Sequence, residues 1–449
     1  MRKERIMNQV AERLISQVPV SLSEQNREVV RDYFTNSWDI YEVLFSAIHS
    51  DESYYESPDP LRNPLIFYYG HTAAFYINKL VMAGLLEKGI DAHYEELFAK
   101  GVDPDLPENL EVADVWPAVD EVCRYRQEVF SLVMQVIEEA DFSEPIHPKN
   151  PLWSLHMGIE HDRIHFETSS VLIRQLDASK LSKPESWEYA PTDGEPERNV
   201  WIGIPEGQVQ LGRSEDYDWF SWDNEFGSKQ VNVSSFAVSK NLITNSEYLD
   251  FVLTAYNDQT FWTNEGWEWK ERVGSVQPKF WIQDGDTYQY RAMFDVIDMP
   301  KDWPVEVNAH EAIAYLNWLG DGSRLLTEAE FRLLERRTFG GEPIHSESAN
   351  INMRFGSPTP VGMLNRGEEV NDLYGNVWDW LSDDFYPLPG FEVHPYYEDF
   401  SAPYFDDEHS MMLGASWSTT GTGASKYYRL WFRRNFYQHA GFRLAKDIK

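Results

Sequence analysis

Residues 152–176 read LWSLHMGIEHDRIHFETSSVLIRQL, and they place His161 and His165 four positions apart. On an α-helix this spacing puts both imidazoles on one face, where they can share a metal ion. Asn150 and Pro151 directly precede the run. This pair is a helix-start signal, because Asn can cap the first amides and Pro costs nothing at the first helical position. The alternative is a pair of ordinary surface or capping histidines.

Three earlier runs show the same helical pattern, with apolar residues at spacings of three and four. They cover residues 24–48, residues 65–86 after a second Asn-Pro pair (Asn63-Pro64), and residues 116–140. Four long amphipathic helices predict an all-α four-helix bundle, to which we assign residues 1–178.

A third histidine, His71, lies in the motif YYGHTAAF of the second helix. We expect an up-down-up-down bundle, in which the second and fourth helices run parallel and lie diagonally across the core. His71 lies seven residues after Pro64. His161 and His165 lie ten and fourteen residues after Pro151. At a rise of about 1.5 Å per residue, the distances of the histidines from the starts of their helices agree within one to three turns. The three rings are therefore predicted to meet inside the bundle. The alternative for His71 is a satisfied core histidine.

Such a three-nitrogen site with open positions suits iron(II), zinc or nickel, and the residue types do not choose among them. Glu167 points roughly 200° away from His165 around a straight helix, so we do not expect it to be a ligand. Glu160 and His156 are expected to support or pack around the site.

Composition excludes several classes of function. The 449 residues carry 39 Lys plus Arg against 74 Asp plus Glu, a formal net charge of −35, which argues against binding nucleic acid or anionic membranes. The single cysteine, Cys123, rules out an internal disulfide and a cysteine-based zinc site. The start, MRKERIMNQVAERL, lacks the apolar run of a signal peptide, and no stretch approaches the ~18 apolar residues of a membrane span. We expect a soluble cytoplasmic protein.

The sequence pattern changes after residue 178, where the long helical periodicities end. Residues 179–199 are polar and are interpreted as a linker. Residues 200–449 hold short apolar segments separated by Gly, Pro, Asn and Asp, and 14 of the 17 tryptophans lie from Trp187 onward. This pattern predicts an irregular α+β domain in which large aromatic side chains form much of the core.

Both halves resemble known families. The first resembles the DinB-like bundle, whose metal site uses one histidine on the second helix and a pair on the fourth. The second resembles the formylglycine-generating-enzyme-like (C-type-lectin-related) fold, through IPEGQVQLGRS, LYGNVWDWLSDDF, GASWST and AGFRLA. In this order the two modules resemble the nonheme iron sulfoxide synthases of thiol-histidine biosynthesis. Within that family, DPLRNPLIFYYGHTAAFYINKL and FSWDNEFG are most similar to the ovothiol-pathway members.

The resemblance implies iron(II) held by His71, His161 and His165, with open positions for a substrate thiolate, a substrate imidazole and O2. The implied reaction couples L-cysteine to the imidazole of L-histidine and gives 5-histidylcysteine sulfoxide. Formylglycine-generating enzymes proper need catalytic cysteines in this fold, and Cys123 lies in the bundle, so their peptide oxidation is not expected. Ovothiol-pathway members often carry a fused methyltransferase, and here the sequence ends at Lys449, so a separate methyltransferase is expected to act downstream.

Two alternatives remain open at this point. An ergothioneine-type synthase would use γ-glutamylcysteine or cysteine with trimethylhistidine. Leu430 and Phe432 offer few polar groups for a γ-glutamyl arm, which favours free cysteine. A noncatalytic module that binds a metal and a ligand is the third interpretation.

The resemblance also directs attention to substrate-binding and proton-donating groups. Substrate carboxylates need cations, and arginine suits bidentate recognition. The expected contacts are Arg124, Arg126, Arg429, Trp431, Arg433 and Arg434, with solvated charges or core packing as the alternative. Related synthases place a tyrosine of the second domain over the iron. Tyr386 in DDFYPLPGF is the best match, followed by Tyr404.

Overall fold

The computed structural model describes most of the chain. The described residues are 16–99, 101–110, 113, 115–214, 216–340, 344–365 and 369–448. The segment MRKERIMNQVAERL, on which the expectation about a signal peptide depends, lies outside them. No helix in the described part of the chain is long and apolar enough to cross a membrane.

Four long helices and one short helix form the first half of the described chain. They are α1 (Arg27–Ser46), α2 (Leu65–Met82), α3 (Ala92–Leu97), α4 (Val119–Glu139) and α5 (Trp153–Arg174). The long helices are those that the periodicity predicts, and the predicted bundle is confirmed.

The Asn-Pro pairs act differently from the prediction. Pro64 is the N-cap of α2, with an extended ψ of 156°, and no side chain caps this end. Asn150 accepts a hydrogen bond from the backbone N–H of Leu152 at 2.9 Å, one residue before α5 begins. The pairs therefore form the turns that lead into the helices, and proline does not occupy the first helical position.

The arrangement of α2 and α5 also corrects a prediction. The two helices pack directly against each other and do not lie diagonally across the bundle. Gly158 on α5 lies against the ring of Tyr76 on α2, where a Cβ atom would overlap the ring. Small residues let helix backbones approach closely, so Gly158 permits the contact that brings the histidines of the two helices together.

The second half is α+β, as predicted. Its described helices are α6 (Asn245–Thr254), α7 (Asn264–Val273), α8 (Ala309–Leu319) and α9 (Glu328–Phe339). Its described strands are β1 (Trp201–Ile204), β2 (Gly207–Leu211), β3 (Lys229–Val233), β4 (Phe236–Ser239), β5 (Trp281–Asp284), β6 (Thr287–Arg291), β7 (Val296–Asp298), β8 (Trp378–Asp384), β9 (His409–Leu413), β10 (Leu430–Arg433), β11 (Ala440–Gly441) and β12 (Ala445–Asp447).

These strands form small sheets. Two have the orders β1-β4-β12 and β10-β9-β8-β11, and two others are β2-β3 and β5-β6-β7. All pairings are antiparallel except β8 with β11, where Trp378 faces Ala440. Between the two halves, residues 181–199 carry neither α-helix nor strand. Trp187 in this segment is nevertheless buried, and its indole N–H donates to the Gly356 carbonyl at 2.8 Å. The segment is thereby held against the second domain.

Helix α5 is buried between the bundle and the second domain. Of its 22 residues, all but Ile164, His165 and Thr168 are buried. Its Glu167 carboxylate accepts hydrogen bonds from the Trp378 indole N–H at 2.8 Å and from the Thr419 hydroxyl at 2.8 Å. Two turns earlier, Glu160 accepts from the backbone N–H and the hydroxyl of Thr422, both at 2.8 Å.

Replacing Glu167 with alanine tests this link between the domains. The change leaves the donors of Trp378, Ser416 and Thr419 without their buried acceptor. We expect the free energy of unfolding to fall by about 3 kcal/mol, the order expected when buried donors lose a charged partner. The measurement is urea denaturation followed by tryptophan fluorescence.

Glu87→Ala is the control, because Glu87 is exposed. A Glu167→Ala protein that differs from this control by less than about 0.5 kcal/mol, the usual effect of a surface substitution, would contradict the assignment.

Candidate metal centre

Three histidines meet where α2 packs on α5. His71 comes from α2, and His161 and His165 come from successive turns of α5. One nitrogen from each ring lies within 4.8 Å of the corresponding nitrogens of the other two. The ring centroids are 4.9 Å apart for His71 and His161, 4.5 Å for His71 and His165, and 4.3 Å for His161 and His165. The predicted meeting of the three rings is therefore present.

His71 is oriented by a backbone group. Its Nδ1 lies 2.6 Å from the carbonyl oxygen of Phe98, the residue that ends α3. The carbonyl can only accept, so Nδ1 carries the proton and donates, which leaves the Nε2 lone pair free. Gly70 makes room for this contact, since a Cβ atom at Gly70 would come within 2.6 Å of the Phe98 ring.

The remaining nitrogens suit a metal ion. Both ring nitrogens of His161 and the Nδ1 of His165 are buried and make no hydrogen bond among the described residues. Burial lowers the pKa of His71 to about 4, and burial followed by the neighbouring rings lowers the pKa values of His161 and His165 well below the usual range. Neutral rings with free lone pairs are the form that coordinates a metal. A metal ion would supply a partner for one nitrogen of each ring.

No carboxylate or thiol among the described residues joins this cluster. As expected, Glu167 is turned toward the second domain and Glu160 is bonded to Tyr33 and Thr422. His156 is paired with the Gln25 amide oxygen at 2.8 Å. The donor set is therefore three imidazoles, and any further coordination positions are left to other molecules.

Aromatic rings surround the triad. Phe75 stacks face to face on His161, with ring centroids 3.5 Å apart and planes 5° from parallel. Phe67 stacks on His71 at 5.0 Å, and Tyr68 lies 6.2 Å from His165. From the second domain, Tyr397 contacts both Phe75, at 5.1 Å, and His161, at 6.0 Å. This packing limits the water around the three nitrogens.

The tyrosines that the sequence analysis favoured lie in other surroundings. Tyr386 donates to the Glu328 carboxylate at 2.6 Å, and burial together with that carboxylate raises its pKa. Tyr404 stacks on Trp431 at 3.8 Å. Tyr397 is the second-domain tyrosine found beside His161. The motif PYYEDF holds two adjacent tyrosines, and only the fold shows which of them faces the bundle.

The predicted substrate-binding arginines also have other partners, which argues against that role. Arg126 is buried, pairs with Glu42 at 2.7 Å and lies over the ring of Trp38. Arg124 projects from the exposed face of α4. In the second domain, each arginine pairs with at least one carboxylate: Arg429 with Glu328 at 2.8 Å, Arg433 with Asp103 at 2.8 Å and with Glu408, and Arg434 with Asp384 at 2.5 Å. Trp431, half-buried, packs between Tyr404 and Phe385.

Comparison with known protein families identifies both domains. Residues 187–448 match the sulfatase-modifying factor enzyme 1-like domain, and residues 33–169 match the DinB superfamily. Since the first match covers more than half of the chain, the protein belongs to the sulfatase-modifying factor enzyme 1-like family, with a DinB-type bundle preceding that domain.

Two curated relatives align with most of the chain, and a third aligns with about half of it. The chain is 25% identical over 457 aligned residues to ergothioneine biosynthesis protein 1 of Schizosaccharomyces pombe, covering 91% of this chain and 54% of the relative. The protein of the same name from Neurospora crassa is 24% identical, with 92% and 57% covered. Hercynine oxygenase of Mycobacterium tuberculosis is 33% identical over 247 residues, with 51% and 56% covered. The chain thus spans about half the length of the curated relatives it matches.

Among solved structures, PvdO from Pseudomonas aeruginosa is similar to 55% of this chain over 94% of its own length. Its sequence identity is 19% and the TM-score is 0.38.

Metal binding tests the triad directly. We expect anaerobic protein to bind one Co(II) per chain, with the visible absorption of the bound ion as the readout, and His161→Ala to lose most of this binding because one of three ligands is removed. His156→Gln is the matched control, because it changes a buried histidine of the same helix that is bonded to Gln25. Equal binding by His161→Ala and by the control would overturn the assignment.

Proposed function

We propose that this protein is a nonheme iron sulfoxide synthase. It uses O2 to join the sulfur of a cysteine-type thiol to the imidazole ring of histidine or a histidine derivative. The observation that carries this proposal is the set of three neutral imidazoles at the α2–α5 contact, two of them buried and that of His165 half-buried, with ring nitrogens that have no partner among the described residues. The names of the relatives, ergothioneine biosynthesis protein 1 and hercynine oxygenase, agree with it.

The reaction balances with one O2. The imidazole C–H bond and the S–H bond are lost, a C–S bond forms, and the sulfur takes one oxygen atom. The other oxygen atom leaves as water, and O2 accepts four electrons in total. Iron(II), when bound, would supply the sites that hold the thiolate and activate O2, as a metal with open positions can.

The chain's own residues then have defined tasks. His71, His161 and His165 would hold the ion, and the Phe98 carbonyl fixes the ring of His71. The aromatic wall of Phe75 and Tyr397 keeps water away from the reacting atoms. Burial raises the pKa of Tyr397, so its hydroxyl is protonated at neutral pH and gives up its proton only to a strong base, such as oxygen that has been reduced.

The relatives' names favour hercynine, the trimethylated form of histidine, as the imidazole substrate. The ergothioneine-type alternative from the sequence therefore has better support than the ovothiol-type reaction. A second candidate, coupling L-cysteine to L-histidine, retains the motif resemblance.

Substrate omission tests the function. Anaerobically reconstituted iron protein receives each thiol, cysteine or γ-glutamylcysteine, with each imidazole, histidine or hercynine, and then O2. We expect rapid O2 uptake and a sulfoxide by mass analysis only when a thiol and an imidazole are both present, and the productive pair identifies the substrates. His161→Ala should abolish turnover, because the ion is no longer held.

The other outcomes are informative. A noncatalytic module would consume no O2 with any pair, and a thiol dioxygenase would consume it with thiol alone. Either result would overturn the proposal.

Tyr397→Phe tests the proton donor. We expect sulfoxide formation to fall by about 100-fold, the order of a lost general acid, while oxidation of the thiol to sulfinate takes a larger share of the O2. Tyr386→Phe is the matched control, because the hydroxyl of Tyr386 is bonded to Glu328. The product ratio is measured by mass analysis, and the assignment is wrong if Tyr386→Phe alters it more than Tyr397→Phe.

A further inference from the structure

Lys79 lies next to the aromatic wall of the metal centre. It follows His71 by two helical turns on α2, and its side chain is half-buried. Its ammonium nitrogen lies 4.9 Å from the centroid of the Phe75 ring and 4.3 Å from that of Tyr397. Phe75 in turn stacks on His161. One aromatic ring therefore separates this cation from the nearest histidine of the triad.

Lys79 forms no ion pair with another described residue. No carboxylate oxygen of the described residues lies within 4.0 Å of its nitrogen, and none of them forms a hydrogen bond with it. Asp399 is the acidic group that acts on it from a greater distance. Arg429, Arg433 and Arg434 of the second domain contrast with it, because each of them pairs with a carboxylate of the protein. A half-buried cation without an anion is a ready binding partner for a carboxylate from outside.

The positive charge of Lys79 acts on the three histidines. The Lys79 charge contributes to lowering the pKa values of both His71 and His161. Burial lowers the pKa of Lys79 itself to about 8, and the Asp399 charge opposes that shift. The ammonium is therefore largely protonated at neutral pH, and a carboxylate beside it would offset its lost hydration.

We propose that Lys79 binds the α-carboxylate of an amino-acid substrate whose side chain lies at the three histidines. This inference rests on the proposed function and names the group that orients the substrate. In cysteine the sulfur and the carboxylate carbon are three bonds apart, a separation of about 4 Å, and in histidine the ring adds to this reach. An amino acid that extends from the three histidines around the edge of the Phe75 ring would bring its carboxylate to the ammonium of Lys79.

Binding without turnover tests the proposal. Wild-type, Lys79→Met and Lys79→Arg proteins are loaded with Co(II) and kept anaerobic. Calorimetry then compares each amino acid with its decarboxylated analogue: cysteine with cysteamine, histidine with histamine, and hercynine with trimethylhistamine. In the wild type we expect at least one amino acid to bind about 10- to 100-fold more tightly than its analogue, the order of a charge-assisted hydrogen bond.

Lys79→Met should remove this advantage and leave the binding of the analogue unchanged, while Lys79→Arg should retain most of it. Lys88→Met is the control, because it removes an exposed lysine shortly after α2. The pair that responds shows whether the bound carboxylate belongs to the thiol or to the imidazole substrate. Comparing the wild type with the analogues needs no variant, so the test remains valid even if Lys79→Met does not fold.

Two results would overturn the inference alone: a wild type that does not distinguish any amino acid from its analogue, or a Lys79→Met protein that keeps the full advantage while the wild type still makes sulfoxide. If the wild type neither binds these amino acids nor turns them over, the proposed function fails together with the inference.

Discussion

The burial of α5 on all sides is the constraint on which the rest of the structure depends. A helix in such a place must give every polar side chain a partner, because an unpaired buried polar group costs about 1–3 kcal/mol. The helix meets this demand by reaching into the second domain. Glu160 bonds to Thr422, Glu167 to Trp378 and Thr419, and Arg174 to Glu306 at 2.7 Å.

The last of these pairs shows how strongly the two domains are connected. Although burial opposes ionisation, Arg174 holds the pKa of Glu306 down to about 2. His439 bonds to the same carboxylate at 3.0 Å and to Ser170 of α5 at 2.9 Å. The helix that supplies two of the three triad histidines is thus fixed by groups more than a hundred residues away in sequence. Among the buried polar atoms of α5 that lack a partner, the nitrogens of His161 and His165 are those that meet His71 in one cluster.

Helical periodicity predicts the four helices, and the four-residue spacing predicts that His161 and His165 share one face, because both follow from the regular geometry of one helix. The meeting with His71 was predicted from the similar positions of the histidines along two helices. The direct packing of α2 on α5 could not be predicted in this way, since it depends on Gly158 meeting Tyr76 across two helices. The sequence also did not point to Tyr397, the tyrosine beside His161, among 24 tyrosines. The motif DDFYPLPGF favoured Tyr386, and irregular loops carry no period that would show which tyrosine returns to the bundle. Composition likewise does not reveal which carboxylates pair with the arginines that were predicted to bind substrate.

Because of the contact between Gly70 and Phe98, the orientation of the His71 ring and the position of His71 are set by different helices. α2 fixes where His71 lies, but the carbonyl that selects its coordinating nitrogen belongs to the end of α3, a six-residue helix without a ligand. A substitution at Phe98 leaves the backbone carbonyl oxygen of this residue in place. A side chain at position 70, in contrast, would displace the Phe98 ring and, with it, the carbonyl oxygen. Evolution or an engineer can therefore retune the affinity of the centre by altering the short helix, with all three histidines left in place.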